Sequence, residues 1–191
     1  MRYECVIFDM DGTLTCDYLD FQAIRAAMGV PAGTGVLEAM AAMSPSQRAR
    51  AERILDDHEM AAARNAPPGD GALEAVREVQ GAGLATALLT RNSRRAMLTV
   101  IQRFGLTFDV TFSREDGPIK PSPQSIHEAC GLLGVAPSRT ACVGDWLFDI
   151  EAANAAGCTS ILLARGRDLP FTDQADHVIE SMWELPPILG L

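Results

Sequence analysis

Two aspartates one residue apart, Asp9 and Asp11, follow directly on the apolar run Cys5-Val6-Ile7-Phe8 and lead into Gly12-Thr13. In an extended backbone residues i and i+2 share a face, so both carboxylates reach the same small volume. Two anions that close repel, and the arrangement is tolerable only with a cation between them or with one carboxyl protonated. Both remedies serve phosphoryl transfer, in which charged groups must meet and protons must move.

Three further polar features stand at the ends of apolar runs or in the loops near them. Thr90-Arg91-Asn92 follows Leu88-Leu89. Lys120 lies in Ile119-Lys120-Pro121-Ser122-Pro123. Gly144-Asp145-Trp146-Leu147-Phe148-Asp149 follows Val143. Of the 16 basic residues Lys120 is the one lysine, where a compact ammonium charge serves a purpose that arginine does not. Open parallel sheets bind ligands in the crevice at the carboxyl ends of their strands, so features gathered there read as one site.

Elements that place these residues alternate along the chain. Strand-like runs occur at 4–9, 84–89, 140–143 and 159–163, with a weaker one at 176–180. Helical periodicity fills 72–80, 93–104, 123–133 and 148–156, with Asp70, Gly105, Pro123 and Gly157 as start or stop signals. Strands alternating with single helices imply an α/β fold: a Rossmann-like, three-layer core with a parallel sheet and helices on both faces. Residues 16–69 break the rhythm with alanine-rich helices at 21–28, 36–43 and 45–64 and no strand. The expected organisation is a core of residues 1–15 and 70–191, with a small all-helical cap, 16–69, inserted after the first strand. A cap of roughly fifty residues is too small for a robust core of its own and must rest on the main domain.

Composition narrows the partners. A formal charge of −9 over 191 residues argues against nucleic acid and anionic membrane surfaces, both of which need a basic patch. A small-molecule ligand is the better expectation. Five scattered cysteines without framework spacing read as reduced core thiols. No apolar run approaches the roughly 20 residues of a membrane span. The chain enters its first apolar run after Met1-Arg2-Tyr3 with no cationic leader, which reads as cytoplasmic.

Taken in order, Asp-Met-Asp-Gly-Thr, Leu-Leu-Thr, the loop Lys-Pro and Gly-Asp-Trp-Leu-Phe-Asp resemble the four motifs of the haloacid dehalogenase superfamily, and nearest the phosphoglycolate phosphatases with a shortened cap. That resemblance implies a phosphatase acting on a small phosphomonoester with Mg²⁺ as cofactor. It makes Asp9 the nucleophile that forms an aspartyl phosphate, and Asp11 the acid that protonates the leaving group and then the base that activates water. Thr90, Arg91 and Asn92 would donate to the phosphoryl oxygens, together with the charge of Lys120. The metal set it implies is Asp9, the Asp11 carbonyl and Asp145, with Asp149 orienting a water on the ion or the Lys120 ammonium. Trp146 is bulkier than the residue usual at its place.

Other readings stand beside this one. Singly, Asp11-Gly12 is a turn pair, Asp145 a helix cap, Lys120 a solvated loop residue, and Arg48, Arg50, Arg53 and Arg64 a solvated helix face. A phosphomutase shares all four motifs and differs by a cap that retains its intermediate. A dehalogenase needs neither Asp11 nor a metal, and the superfamily's Schiff-base branch needs a cap lysine that 16–69 lacks. A receiver module phosphorylated on aspartate uses a similar Asp, Thr and Lys set but places that aspartate on a middle strand.

Overall fold

The computed structural model describes residues 3–191. Strands β1 (Cys5–Phe8), β2 (Ala85–Leu89), β3 (Val110–Phe112), β4 (Thr140–Gly144), β5 (Thr159–Leu163) and β6 (His177–Ile179) form one parallel sheet in the order β3-β2-β1-β4-β5-β6. From the central strand β1 the chain builds β2 and β3 on one side and β4 to β6 on the other. A sheet with that reversal opens a crevice at the carboxyl ends of the strands flanking it.

Period-two alternation divides the strand side chains between two layers. Val6, Phe8, Leu88, Val143, Ile161 and Leu163 pack on α4 (Ala72–Gly81), α5 (Arg94–Phe104) and α8 (Leu185–Leu189). Cys5, Ile7, Ala87, Leu89 and Cys142 face the other way, onto α6 (Gln124–Leu133) and α7 (Leu147–Ala156). The cysteines are free, and all but Cys16 are buried. No helix among the described residues is long and apolar enough to cross a membrane.

Between β1 and α4 lie three helices, α1 (Phe21–Met28), α2 (Val36–Ala41) and α3 (Pro45–Asn65). Ile24, Val36, Met40, Ala51 and Leu55 form a small apolar cluster of their own. Farther along α3, Met60 and Ala63 join the large core cluster, so the helix is rooted in the main body at one end and carries the α1 and α2 cluster at the other. The chain's outgoing and returning strands meet at this root: Thr15 pairs antiparallel with Pro68, and Cys16 N–H donates to Pro67 O at 2.9 Å. Arg103 Nη1 donates to the carbonyls of Ala63 and Ala66 at 3.2 and 2.6 Å, satisfying the end of α3.

Two local expectations change. β3 falls in a stretch read without a strand, because three half-buried residues at a sheet edge carry too short a pattern to register. Asp70 does not cap α4. Gly71, at φ +69°, takes the cap position, and the Asp70 carboxylate accepts instead from Ser181 Oγ at 2.9 Å and Trp183 Nε1 at 3.3 Å.

Candidate active site

The turn after β1 delivers the paired aspartates to the crevice. Asp9 N–H still donates to Val143 O of β4 at 2.9 Å, which pins Asp9 to the strand, while Met10 between the two acids is fully buried in the core. The chain then turns at Gly12, whose φ of +75° suits glycine. A Cβ there would run into the carboxylates of Asp145 and Asp17, so the tight approach of β1 and β4 loops requires this residue. Gly144 has the same role for Asp149, whose carboxylate occupies the place of the missing side chain.

Lys120 reaches this point from the loop before α6. Its Nζ donates to Asp9 Oδ1 at 2.6 Å, Asp149 Oδ1 at 2.6 Å and Leu89 O at 2.8 Å, so all three ammonium protons are used. Burial works against its charge, but Asp149 and Asp9 outweigh burial and hold the ammonium above its ordinary pKa. The other Asp149 oxygen accepts from Trp146 N–H at 3.1 Å, which locks its carboxylate facing Lys120. Trp146 itself is half-exposed and stacks edge-on against Phe171, with ring centroids 5.6 Å apart.

Desolvation dominates the acids. Burial, helped by Asp149 and opposed by Lys120, raises Asp9 to about 6. Burial with the charges of Asp9 and Asp149, against that of Arg167, raises Asp145 to about 8. Asp11 is raised well above its ordinary value by burial and then by Asp9, Glu59 and Asp145. Four carboxyl groups thus share the space with the cations Lys120 and Arg167, and the raised pKa values of Asp9, Asp11 and Asp145 mark a site where a divalent cation would favour the ionised forms. Asp9, Asp145 and Asp149 each offer an oxygen within 4.8 Å of the others, a hard all-oxygen donor set of the kind Mg²⁺ takes. The Asp11 carboxylate is not one of that set.

On the β2 side, Thr90 and Asn92 are buried in the loop between β2 and α5, and Asn92 N–H donates to Thr90 Oγ1 at 3.1 Å. Asn92 Nδ2 is buried and finds no hydrogen-bond partner among the described residues. Arg91 turns its guanidinium away from this loop: Nη1 donates to Lys120 O at 2.9 Å, Nη2 pairs with Glu38 of α2 at 2.5 Å, and the group lies 4.3 Å over the Phe148 ring.

Sequence reasoning passed over two charged groups at the site. Arg167, beyond the carboxyl end of β5, donates through Nη2 to Asp145 Oδ2 at 3.0 Å and to the carbonyls of Asp145 and Leu163 at 3.1 Å. Its position past a strand end was the available signal. Glu59, on α3, is 2% exposed and accepts from Ser93 N–H at 3.1 Å and from Arg114 Nη1. Burial lifts its pKa against the pull of Arg114. Its signal was an acid in the middle of a four-residue apolar stripe, Ala51, Leu55, Glu59, Ala63.

Comparison with known proteins bears on the chain as a whole. Residues 3–157 match the family model described as haloacid dehalogenase-like hydrolase. A haloacid dehalogenase-like hydrolase domain-containing protein of Arabidopsis thaliana is 31% identical over 174 residues, covering 85% of this chain and 71% of that protein. The N-acetylmuramic acid 6-phosphate phosphatase of Pseudomonas aeruginosa is 31% identical over 220 aligned positions, covering 99% of this chain and 96% of the relative. The crystal structure of a predicted phosphoglycolate phosphatase from Haemophilus somnus superposes with a TM-score of 0.79 at 19% identity over 98% of both chains, a likeness of fold.

Proposed function

The chain belongs to the haloacid dehalogenase-like hydrolases and is a phosphoric monoester hydrolase; from that premise we propose that it is a magnesium-dependent phosphatase of a small phosphomonoester, working through an aspartyl phosphate on Asp9. The observation that carries this reading is the buried ammonium of Lys120 held at 2.6 Å from both Asp9 and Asp149, beside the Asp145 carboxylate. Carboxylates are gathered there around a fixed cation at the mouth of a parallel sheet, where an anionic ester needs neutralising and an anionic nucleophile needs aiming.

Asp9 attacks phosphorus. Lys120 grips Oδ1 and leaves the second oxygen for the new bond, and a pKa of about 6 leaves the carboxylate ionised at neutral pH. Burial, with the charges of Asp9, Glu59 and Asp145, pushes Asp11 well above its ordinary value, the direction that a proton donor needs. Asp11 gives a proton to the leaving oxygen, then takes one from the water that hydrolyses the acyl phosphate. The Thr90 hydroxyl, the Arg91 backbone amide and the Asn92 side-chain amide would donate to the phosphoryl oxygens; the unpartnered Asn92 Nδ2 supports a ligand there. Asp9, Asp145 and the Asp11 carbonyl would hold Mg²⁺, with Asp149 orienting Lys120. When bound, the ion neutralises charge between the attacking carboxylate and the phosphoryl oxygens.

Relatives named as phosphatases of N-acetylmuramic acid 6-phosphate and of phosphoglycolate support a substrate of small size. The test is hydrolysis of an aryl phosphate by the purified protein, with Mg²⁺ or with EDTA. Turnover is expected only with the metal, and turnover undiminished in EDTA counts against the metal assignment. Ranking small phosphate esters by kcat/KM then identifies the substrate class. With Asp11→Asn, labelled phosphate should remain on Asp9; an unlabelled protein argues against the two-step route.

A further inference from the structure

Helix α3 buries one acid in the middle of its apolar face. Ala51, Leu55, Glu59 and Ala63 recur every four residues and are each no more than 3% exposed. A carboxylate taken out of water is costly unless its oxygens are paired and hydrogen-bonded, so Glu59 is retained there against a penalty that an apolar residue would avoid. Both of its oxygens are engaged: Oε2 accepts from Ser93 N–H at 3.1 Å, and Oε1 from Arg114 Nη1.

These partners converge on one peptide group. Arg114 N–H donates to Asn92 O at 3.0 Å, while Glu59 accepts from Ser93 N–H, and that carbonyl and that N–H belong to the same peptide plane. The plane is therefore gripped at both ends, and the Glu59–Arg114 ion pair joins the two grips. On one side of it lies Asn92, whose N–H is bonded to Thr90 Oγ1 and whose Nδ2 is buried and unpartnered. On the other side Ser93 begins α5 and accepts from Ala96 N–H at 3.3 Å. Loss of both grips frees the Asn92 backbone to shift, and with it the N–H that engages Thr90 Oγ1.

We propose that Glu59 is a positioning residue for the phosphoryl-binding loop: through the Asn92–Ser93 peptide it holds the Thr90 hydroxyl and the Asn92 amide ready for the phosphoryl group, so the loop is complete only with the helical insertion seated. This rests on the reading of residues 90–92 as phosphate donors. The insertion then acts on the chemistry from its root as well as covering the crevice, by a route that touches no substrate.

The experiment measures inhibition by orthophosphate and by orthovanadate, with kcat and KM for an aryl phosphate, in the full chain and three variants. Glu59→Ala removes the acceptor and the charge, Glu59→Gln keeps an acceptor for Ser93 N–H, and Arg95→Gln breaks the exposed Asp56–Arg95 pair, which joins the same two helices without a bond to the Asn92–Ser93 peptide. In Glu59→Ala the inhibition constants are expected to rise about tenfold, with KM rising in step, and in Glu59→Gln to rise only about threefold, the scale of losing part of a charge-assisted hydrogen bond. Arg95→Gln should leave them at the wild-type value. Thermal unfolding accompanies each measurement. A Glu59→Ala protein that unfolds earlier yet binds both anions as wild type does would reduce Glu59 to a structural tie and overturn the proposal, as would equal losses in Arg95→Gln. A wild-type protein that binds neither anion sinks the reading of the loop itself, and this proposal with it.

Discussion

The floor of the crevice and the inserted helices, its roof in the reading proposed above, are each tied by ion pairs between segments far apart in sequence, yet the two ties differ in kind. On the floor, the Lys120, Asp9 and Asp149 side chains are 7%, 11% and 9% exposed; on the roof, Arg91 and Glu38 are 20% and 49% exposed. Their lengths, 2.6 and 2.5 Å, are nearly equal. Water decides the difference. A buried charge that loses its partner is stranded, whereas an exposed pair is worth about 0–1 kcal/mol and is readily exchanged for solvent. The Lys120 tie therefore stands whatever the insertion does, whereas the Arg91–Glu38 tie opens at little cost and leaves α3 rooted by its buried contacts. An enzyme that must fix its nucleophile and still admit an ester has use for one tie of each sort.

The largest effect should come from the floor. On the proposed mechanism, Asp9→Asn is expected to lower kcat by about 10⁴-fold or more while the far-ultraviolet dichroism stays that of wild type, since it replaces the attacking carboxylate and keeps the shape. More than a few per cent of wild-type turnover would remove Asp9 from its role. Lys120→Met should follow, costing about 3–5 kcal/mol in urea unfolding at neutral pH, because Asp9 and Asp149 are left facing one another without their cation. A loss under 1 kcal/mol would make the floor no different from the roof.

Acidity gives a third, more graded contrast. Asp145 and Asp9 titrate in the folded chain near 8 and 6, against about 3.8 for a free aspartate, so the folded state holds their protons more tightly than the unfolded state does. Their stabilising contribution is complete below about pH 4 and is lost as pH rises through 8. On the roof partial burial works against the charge of Glu38, but Arg91 prevails and lowers its pKa. Its contribution has the opposite sign, present above its ordinary pKa and lost as pH falls below it. In EDTA the melting temperature should accordingly fall between pH 5 and pH 8, and Mg²⁺ should lessen that fall by neutralising the floor. A fall of equal size with and without the ion would break the assignment.

Glu38→Gln should do least: a stability change within about 1 kcal/mol, and a kcat/KM for a small aryl phosphate within about threefold of wild type. Amide exchange in α1 and α2 should nonetheless quicken while that of α5 stays as it was. Unchanged exchange in α1 and α2 would mean that this contact does not hold the roof.

Much of the floor was legible in the amino-acid order because its parts are local. Asp9 and Asp11 follow one strand end and Asp145 and Asp149 flank one helix start, while continuous apolar runs announced β1, β2, β4 and β5, although Asp11 falls in the turn after β1 and Asp145 lies before α7 and not on it. The roof was less so. An ion pair such as Arg91–Glu38 has no spacing to betray it, and Asp70, which looks like a helix cap, is claimed by Ser181 and Trp183 more than a hundred residues away. Arg167 likewise met Asp145 only because β5 pairs with β4 and its following loop bends back over it.

By itself the sequence determined five of the six strands, the main helices and the acids that follow the first strand, because apolar runs and helical periodicity are set by neighbours. Tertiary structure alone decided which distant charges meet: Lys120 with Asp9 across 111 positions, Arg114 with Glu59 across 55. Such meetings depend on how crossovers stack against the sheet and on how much water they exclude, and it is that exclusion, spread over the whole fold, that pushes one acid up to about 8 and leaves another near 6.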